Sequence, residues 1–219
     1  MGKVIDRKIS DFFSHGTFLK CKRGEILINA GDEPNGVYYL SKGYVKMNSI
    51  FKNGSELTLN IFKHGSFFPM MWALGEAKNT YFYQTISTAN IYRVPKEKVL
   101  RFVKEDPSVL FDLTKRILVG LDGLLTNVSQ LLYGSSYNRV ASAILISAKR
   151  FGKRFKDGSV LIDLSLTHQD IADLAGITRE TVSLAMEKLA RKKVIARSHK
   201  KIVVGSLQVL EQEASISIV

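Results

Sequence analysis

Cysteine is almost absent. Cys21 is the one thiol in 219 residues, which excludes an intramolecular disulfide and leaves no cluster for a four-thiolate zinc or iron–sulfur centre. A reducing, cytoplasmic setting is the expectation. No apolar run reaches the ~18–20 residues needed to cross a bilayer; the longest candidate, residues 117–132, is broken by Asp122, Asn127 and Gln130. The stretch Met1–Asp6 lacks the apolar region of a secretory signal, and Asp6 stands where a myristoylation signal needs Ser or Thr. Neither secretion nor membrane attachment is therefore expected. Internal repeats and low-complexity tracts are missing as well. So are a nucleophile–base pair, metal-ligand spacing and a phosphate-cradling glycine loop, which argues against an enzyme.

Acidic residues are scarce relative to basic ones: 20 Asp and Glu against 32 Lys and Arg leave a net charge of +12. That sign favours a polyanion as partner, although a solvated basic surface gives the same total. The distribution is more telling. Lys149, Arg150, Lys153, Arg154 and Lys156 crowd one segment, and Lys188, Arg191, Lys192, Lys193, Arg197, Lys200 and Lys201 crowd another, both in the C-terminal third. A hydrophobic content of 45% is that of a globular chain, and the length suits one or two domains.

Residues from about 17 to 95 read as short strands cut by turns. Gly24, Gly31-Asp32, Pro34-Asn35-Gly36, Lys42-Gly43, Asn53-Gly54 and His64-Gly65 separate β-prone runs at 25–28, 37–40, 44–47, 57–62 and 81–86. Asn53-Gly54 is the clearest hairpin signal. Evenly spaced strands of this kind predict a sandwich or jelly-roll barrel. From Pro95 the period becomes helical, and Glu105-Asp106-Pro107 marks the start of a long helix ending near Tyr133. Leu110, Ile117, Leu124 and Leu131 recur at heptad spacing, with Thr114, Leu121 and Val128 interleaved. This a/d seam reads as a homodimer contact; a helix buried in the chain's own core is the alternative. A second stripe, Phe111, Leu118, Leu125 and Leu132, is expected to pack on the barrel. Gly120 and Gly123 permit close approach of a partner helix or a ligand. Gly134-Ser135-Ser136 marks a break, a Ser caps a helix over about 137–151, and Lys156-Asp157-Gly158 turns into a strand at 160–164.

The segment from Thr167 to Ala190 carries the strongest pattern. Thr167 and Asp170 form a capping box, with Asp replacing the preferred Glu or Gln. Ile171, Ala172 and Leu174 give a first helix its apolar face, Gly176 supplies a positive φ in the turn, and Thr178 caps a second helix. Val182, Ala185, Met186 and Leu189 face inward from that helix. This is helix-turn-helix spacing, with a purely structural helical hairpin as the alternative. The exposed face of the second helix carries Thr178, Arg179, Glu180, Ser183 and Lys188. Arginine donates two bonds to guanine and glutamate accepts from the cytosine amino group. An acid facing phosphates is unfavourable unless it reads a base, so Glu180 is assigned to base contact rather than to a solvated surface. Residues 194–196 and 201–204 form a basic hairpin, a wing suited to phosphate contact through Arg197, Ser198, His199 and Lys200. Thr167, His168 and Gln169 at the start of the first helix complete the expected DNA-binding set.

The order of barrel, long helix and winged helix-turn-helix resembles the cyclic AMP receptor protein/fumarate-and-nitrate-reduction regulator (CRP/FNR) family, over about residues 10–210. The resemblance is most specific in Thr167–Leu189, with support from Gly31-Asp32, Lys42-Gly43, Asn53-Gly54 and Gly65. It implies an α+β fold: a cyclic-nucleotide-binding-like sensor barrel at 1–106, a dimerisation helix at 107–134 and a DNA-binding domain at 135–219. It further implies a transcription regulator whose partners are double-stranded DNA with a palindromic operator, a second copy of the chain, and RNA polymerase. Base contacts carry over onto Arg179 and Glu180 in one branch, and onto Glu180 and Ser183 in the other. Leu184 stands where members often have a contacting Arg, and suits a thymine methyl instead.

Against the cyclic-nucleotide branch, the Glu that holds the ribose and the Arg that neutralises the phosphate are missing. The corresponding stretch is Phe68-Pro69-Met70-Met71, followed by Thr80-Tyr81. Leu124 and Leu125 occupy the base-contacting helix positions and cannot hydrogen-bond. Cyclic AMP is therefore not expected, nor is an iron–sulfur cluster on Cys21 alone. A haem on His15 or His64, or a thiol sensor at Cys21, remains an alternative of the same fold, and sequence-independent nucleic-acid binding is a further one. The expected effector pocket is Phe68, Met70, Met71, Trp72, Tyr81, Tyr83, Leu124 and Leu125, lined for a small apolar or aromatic effector. The competing reading of these side chains is barrel core.

Overall fold

Turn glycines cut the N-terminal half into β1 (Thr17–Cys21), β2 (Ile26–Ile28), β3 (Val37–Lys42), β4 (Val45–Ile50), β5 (Glu56–Phe62), β6 (Phe67–Phe68), β7 (Phe82–Thr85) and β8 (Ala89–Val94). They form two four-stranded antiparallel sheets, ordered β1-β8-β3-β6 and β2-β7-β4-β5. The computed structural model describes residues 2–215. One of its two units comprises the residues up to Gly54 together with Thr58–Gly120; the other comprises Ser55–Leu57 and Leu121 onward.

The strand β3 shows how the first unit is built. Its side chains alternate between two cores: Tyr38 and Leu40 join one with Cys21, Ile28, Val45, Phe68, Tyr83 and Ile91 from both sheets, while Val37 and Tyr39 join another. A strand buried on both faces needs a continuous apolar run, and residues 37–40 supply it. Phe68 is the centre of an aromatic stack, 4.8 Å from Phe62 and 5.2 Å from Tyr83 between ring centroids. The Lys42-Gly43 turn needs its glycine: φ is +94°, and a Cβ there would lie 2.3 Å from the Thr88 carbonyl oxygen.

The second core is covered by helices: α1 (Gly2–Ser14), α2 (Met70–Gly75), α3 (Lys96–Glu105) and the first turns of α4 (Pro107–Tyr133). Neither α1 nor α2 is expected from the turn signals. Ile9 and Phe13, four residues apart on one helix face, anchor α1 against Tyr39 and Phe67. The α2 helix occupies the stretch read as an apolar loop. Asp106 caps α4, accepting from the Ser108 amide at 3.0 Å. Its hydrogen bonds to Lys8 and Ser108 hold its carboxyl down to about 2.

Only Val109 and Leu113 of α4 are buried. Within the first unit the second stripe does not pack on the sheets, since Phe111 is 73% exposed and Leu118 is exposed too; Leu125 and Leu132, in the second unit, are likewise exposed. Two residues along a helix are ~200° apart, so a helix that turns Val109 to the sheet turns Phe111 away from it. The heptad seam from Leu110 to Val128 also lies open, with Leu121 at 48% and Leu124 at 42%.

The second unit packs α5 (Ser136–Phe151), α6 (His168–Ala175), α7 (Arg179–Arg191) and α8 (Leu207–Ala214) with a small sheet. That sheet runs β11 (Ile195–Ser198), β12 (Lys201–Val204), β10 (Val160–Ile162) and β9 (Gly152–Arg154). Ser135 caps α5 in a reciprocal capping box with Asn138. Val140, Ile144, Ile171, Val182, Leu189 and Leu210, all buried, hold the helices together.

Candidate nucleic-acid interface

Two caps and one glycine fix the angle between α6 and α7. The Thr167 hydroxyl accepts from the Asp170 amide at 3.0 Å, while the Asp170 carboxylate accepts from the Thr167 amide at 2.8 Å. At the other end Gly176 adopts φ +62° and its amide donates to the Ala172 carbonyl. Thr178 Oγ1 then accepts from the Thr181 amide at 3.3 Å and starts α7. Replacing Thr167 by Ala should cost about 0.5–2 kcal/mol of stability, read as a lower denaturation midpoint with an unchanged denaturant slope.

With Val182, Ala185, Met186 and Leu189 buried, α7 presents its opposite face to solvent. Arg179 and Glu180 are exposed at its first turn, and their side chains make no hydrogen bond or ion pair among the described residues. Leu184 is 69% exposed, an apolar side chain held out on a polar face. Ser183 is half-buried; its hydroxyl donates to the Arg179 carbonyl at 3.1 Å and lies 2.8 Å from His168 Nδ1. Lys188 is placed differently from the residues before it: its ammonium sits 4.5 Å from the centroid of the Tyr137 ring, where the Tyr137 hydroxyl and Lys192 both donate to Glu213. Gln169 is exposed and donates to the buried Asp173 at 2.8 Å.

The wing is a hairpin in which Ser198 pairs with Lys201 around a two-residue turn, with His199 at φ +56°. Arg197, Ser198, His199 and Lys200 are all exposed. Asp163 fastens its base, binding Lys153 at 2.5 Å and also Lys201, and these two hydrogen bonds hold its carboxyl below the usual range. The basic segment at 149–156 is thus partly engaged within the fold: Lys149 pairs with Glu211, Lys153 with Asp163, and Arg150 lies over the Phe151 ring. Arg154, Lys156, Lys193 and, on the wing, Arg197 and Lys200 stay exposed with no ion pair among the described residues.

A family model described as a Crp-like helix-turn-helix domain matches residues 138–213, and one described as a cyclic nucleotide-binding domain matches residues 18–106. The global nitrogen regulator of Nostoc sp. is 31% identical over 189 residues, covering 84% of this chain and 82% of its own length. The chain belongs to the CRP/FNR family. The global nitrogen regulator of Synechococcus elongatus is 30% identical over 200 residues, covering 89% of this chain and 88% of its own. A CRP/FNR-family transcriptional regulator of Thermus thermophilus superposes with a TM-score of 0.71 at 25% identity, over 90% of this chain and 98% of that one. The protein is a DNA-binding transcription regulator of the CRP/FNR type, with the α+β architecture read from its sequence.

In this CRP/FNR regulator the expected pocket residues fall in different places. Met71, Trp72, Tyr81 and Tyr83 line a cleft of about 120 Å³ together with Pro69, Lys78 and Asn79. Phe68 is buried in the core stack and Met70 packs on the helical core. Leu124 and Leu125 belong to the other unit and are exposed. Burial pushes the Tyr83 hydroxyl above its ordinary range, with Tyr81 adding to the effect. Lys78 and Asn79 were not singled out in the sequence, because one Lys and one Asn in a loop carry no spacing signal. Asn79 is buried, and its amide donates to the carbonyls of Asn29 at 2.7 Å and Tyr81 at 3.0 Å, which shapes the cleft wall.

Proposed function

We propose that the regulator acts as a homodimer on a palindromic operator and answers to an effector other than cyclic AMP. In this reading residues 1–106 are the sensor, 107–134 the dimerisation helix and 135–219 the reading head. The observation that carries it is the free first turn of α7, where Arg179 and Glu180 stand exposed without an ion pair among the described residues, beside the equally exposed Leu184. Such side chains near the start of a groove-inserted helix reach base edges: Arg179 suits guanine, Glu180 the cytosine amino group, and Leu184 a thymine methyl. The open heptad seam of α4 supports a second copy as partner. The cleft limits an effector bound there to a small one, since about 120 Å³ is well below the ~300 Å³ at which ordinary ligand pockets begin. It also offers neither the carboxylate nor the arginine that a cyclic nucleotide needs.

The test is selection of bound sequences from a random DNA library by the purified protein at near-physiological salt. An enriched palindrome whose half-sites lie about one helical turn apart, ~34 Å, is the expected result. Equal binding of all sequences with a steep salt dependence overturns the reading.

A further inference from the structure

His168 is the first residue of α6, yet its ring reaches across to α7 and lies against Ser183. The proton count at that contact is fixed by a second one. A serine hydroxyl has one proton, and the Arg179 carbonyl at 3.1 Å can only accept it. Both contacts are made at once only when Ser183 donates to that carbonyl and accepts from His168, which assigns the hydrogen at the 2.8 Å contact to Nδ1. The neutral ring is then left with its lone pair on Nε2, which has no partner among the described residues. The charged groups facing the ring are Arg179 from α7 and Arg197 from β11; of the two acids on its own helix, Asp170 is folded back on Thr167 and the buried Asp173 accepts from Gln169.

We propose that His168 is a proton-linked positioning residue of the reading head, holding Ser183 through Nδ1 and meeting a DNA phosphate through Nε2 only when protonated, so that operator binding takes up a proton. A neutral Nε2 turns a lone pair toward a phosphate oxygen, which repels it. Protonated, the same atom donates a charge-assisted hydrogen bond without disturbing the bond to Ser183. In the free protein partial burial first, then Arg197 and Arg179, keep the ring below its ordinary range and hence neutral. On DNA the phosphates neutralise both arginines and add negative charge, so the affinity of His168 for a proton rises. The sign follows by linkage: a group that is more basic in the complex makes binding tighter at low pH and weaker as pH rises through its value in the complex.

This rests on the reading of α7 as the DNA-facing helix. The operator recovered by selection is titrated from about pH 5 to about pH 8 at constant ionic strength. Between the free and bound values the dissociation constant should rise by up to about tenfold per pH unit for each half-site, hence up to about 100-fold for the dimer. On a His199→Gln background, which removes the wing's own imidazole from the titration, adding His168→Gln should leave a flat profile near the high-pH affinity of that background. Calorimetry of the His199→Gln protein in two buffers of different ionisation enthalpy should read net proton uptake that the added His168→Gln removes. Specific binding with a flat native profile, an unchanged slope on adding His168→Gln, or no loss of proton uptake with it overturns the inference. Failure to recover any operator overturns the reading beneath it.

Discussion

Replacing Leu121 and Leu124 together by Asp should convert the regulator into a folded monomer that no longer separates its operator from bulk DNA. Both side chains stand about half out of the single chain, so the exchange removes little of that chain's own core. In a dimer the same exchange sets four carboxylates into one apolar seam. Each would lose a leucine burial of ~1.5–3 kcal/mol and leave a charge without a partner at a cost of several kcal/mol. No coiled coil of this length absorbs that. A monomer presents one reading head, and the advantage of specific over non-specific sites, commonly ~10³-fold or more, disappears with the second half-site. Light scattering and an operator titration at fixed salt read the two effects, and a melting curve separates them from unfolding. A double variant that stays dimeric and specific contradicts the seam; one that unfolds shows α4 to be a core helix instead.

Gly120 and Gly123 on the same helix meet nothing within 4 Å where a Cβ would be built, so their surface is open to a partner. The apolar period of α4 was legible because a heptad repeat survives in the residue order alone. Which side of the helix turns inward was not. Val109 and Leu113 carry no mark that separates them from Phe111 and Leu118; the choice is made by the sheet-side surface of Val37, Tyr39 and Phe67. Similarly, β1 and β8 went unread because Lys20, Asn90 and Arg93 interrupt their apolar pattern, although they pair along their full length. The α1 face formed by Ile9 and Phe13 was readable as a helical period in retrospect, but no turn residue announces it.

The reading head was legible almost throughout because each of its steps is a local rule. Thr167 with Asp170, Gly176 and Thr178 are short-range chemistry, and the structure shows both caps and the positive φ. What sequence could not show is which polar side chains on the two helices are already occupied. His168 and Ser183 lie 15 residues apart and meet only after the helices cross. Lys188 looks like its neighbours on paper but lies over Tyr137. The cleft beside α2 was less legible, since it combines that helix with the loop that carries Lys78 and Asn79, and an aromatic-rich stretch gives no rule for which rings enter the core.

Glu180→Ala should change specific and non-specific binding in opposite directions, and that pair of signs is the sharpest test of base reading. As a solvated surface charge, Glu180 would repel the phosphate backbone, and its removal would strengthen binding to every sequence. As a reader of cytosine it compensates that repulsion with a base-edge hydrogen bond, and losing the bond costs ~1–3 kcal/mol per half-site. Two half-sites give about 2–6 kcal/mol, or roughly 30-fold to 10⁴-fold in the operator dissociation constant. Non-specific affinity should rise slightly in the same variant, because one acid has left a basic surface. Arg179→Ala should lower both, the operator more steeply, since its guanidinium serves guanine and phosphate alike. The bland role of Glu180, an acid in the first turn of α7 aligned with the helix dipole, predicts a stability loss of about 0.3–1 kcal/mol beside that general gain in affinity. Operator and random-sequence titrations at one salt concentration decide among these. A Glu180→Ala protein that binds both DNAs more tightly contradicts the assignment of α7's first turn to cytosine, whatever palindrome the selection returns.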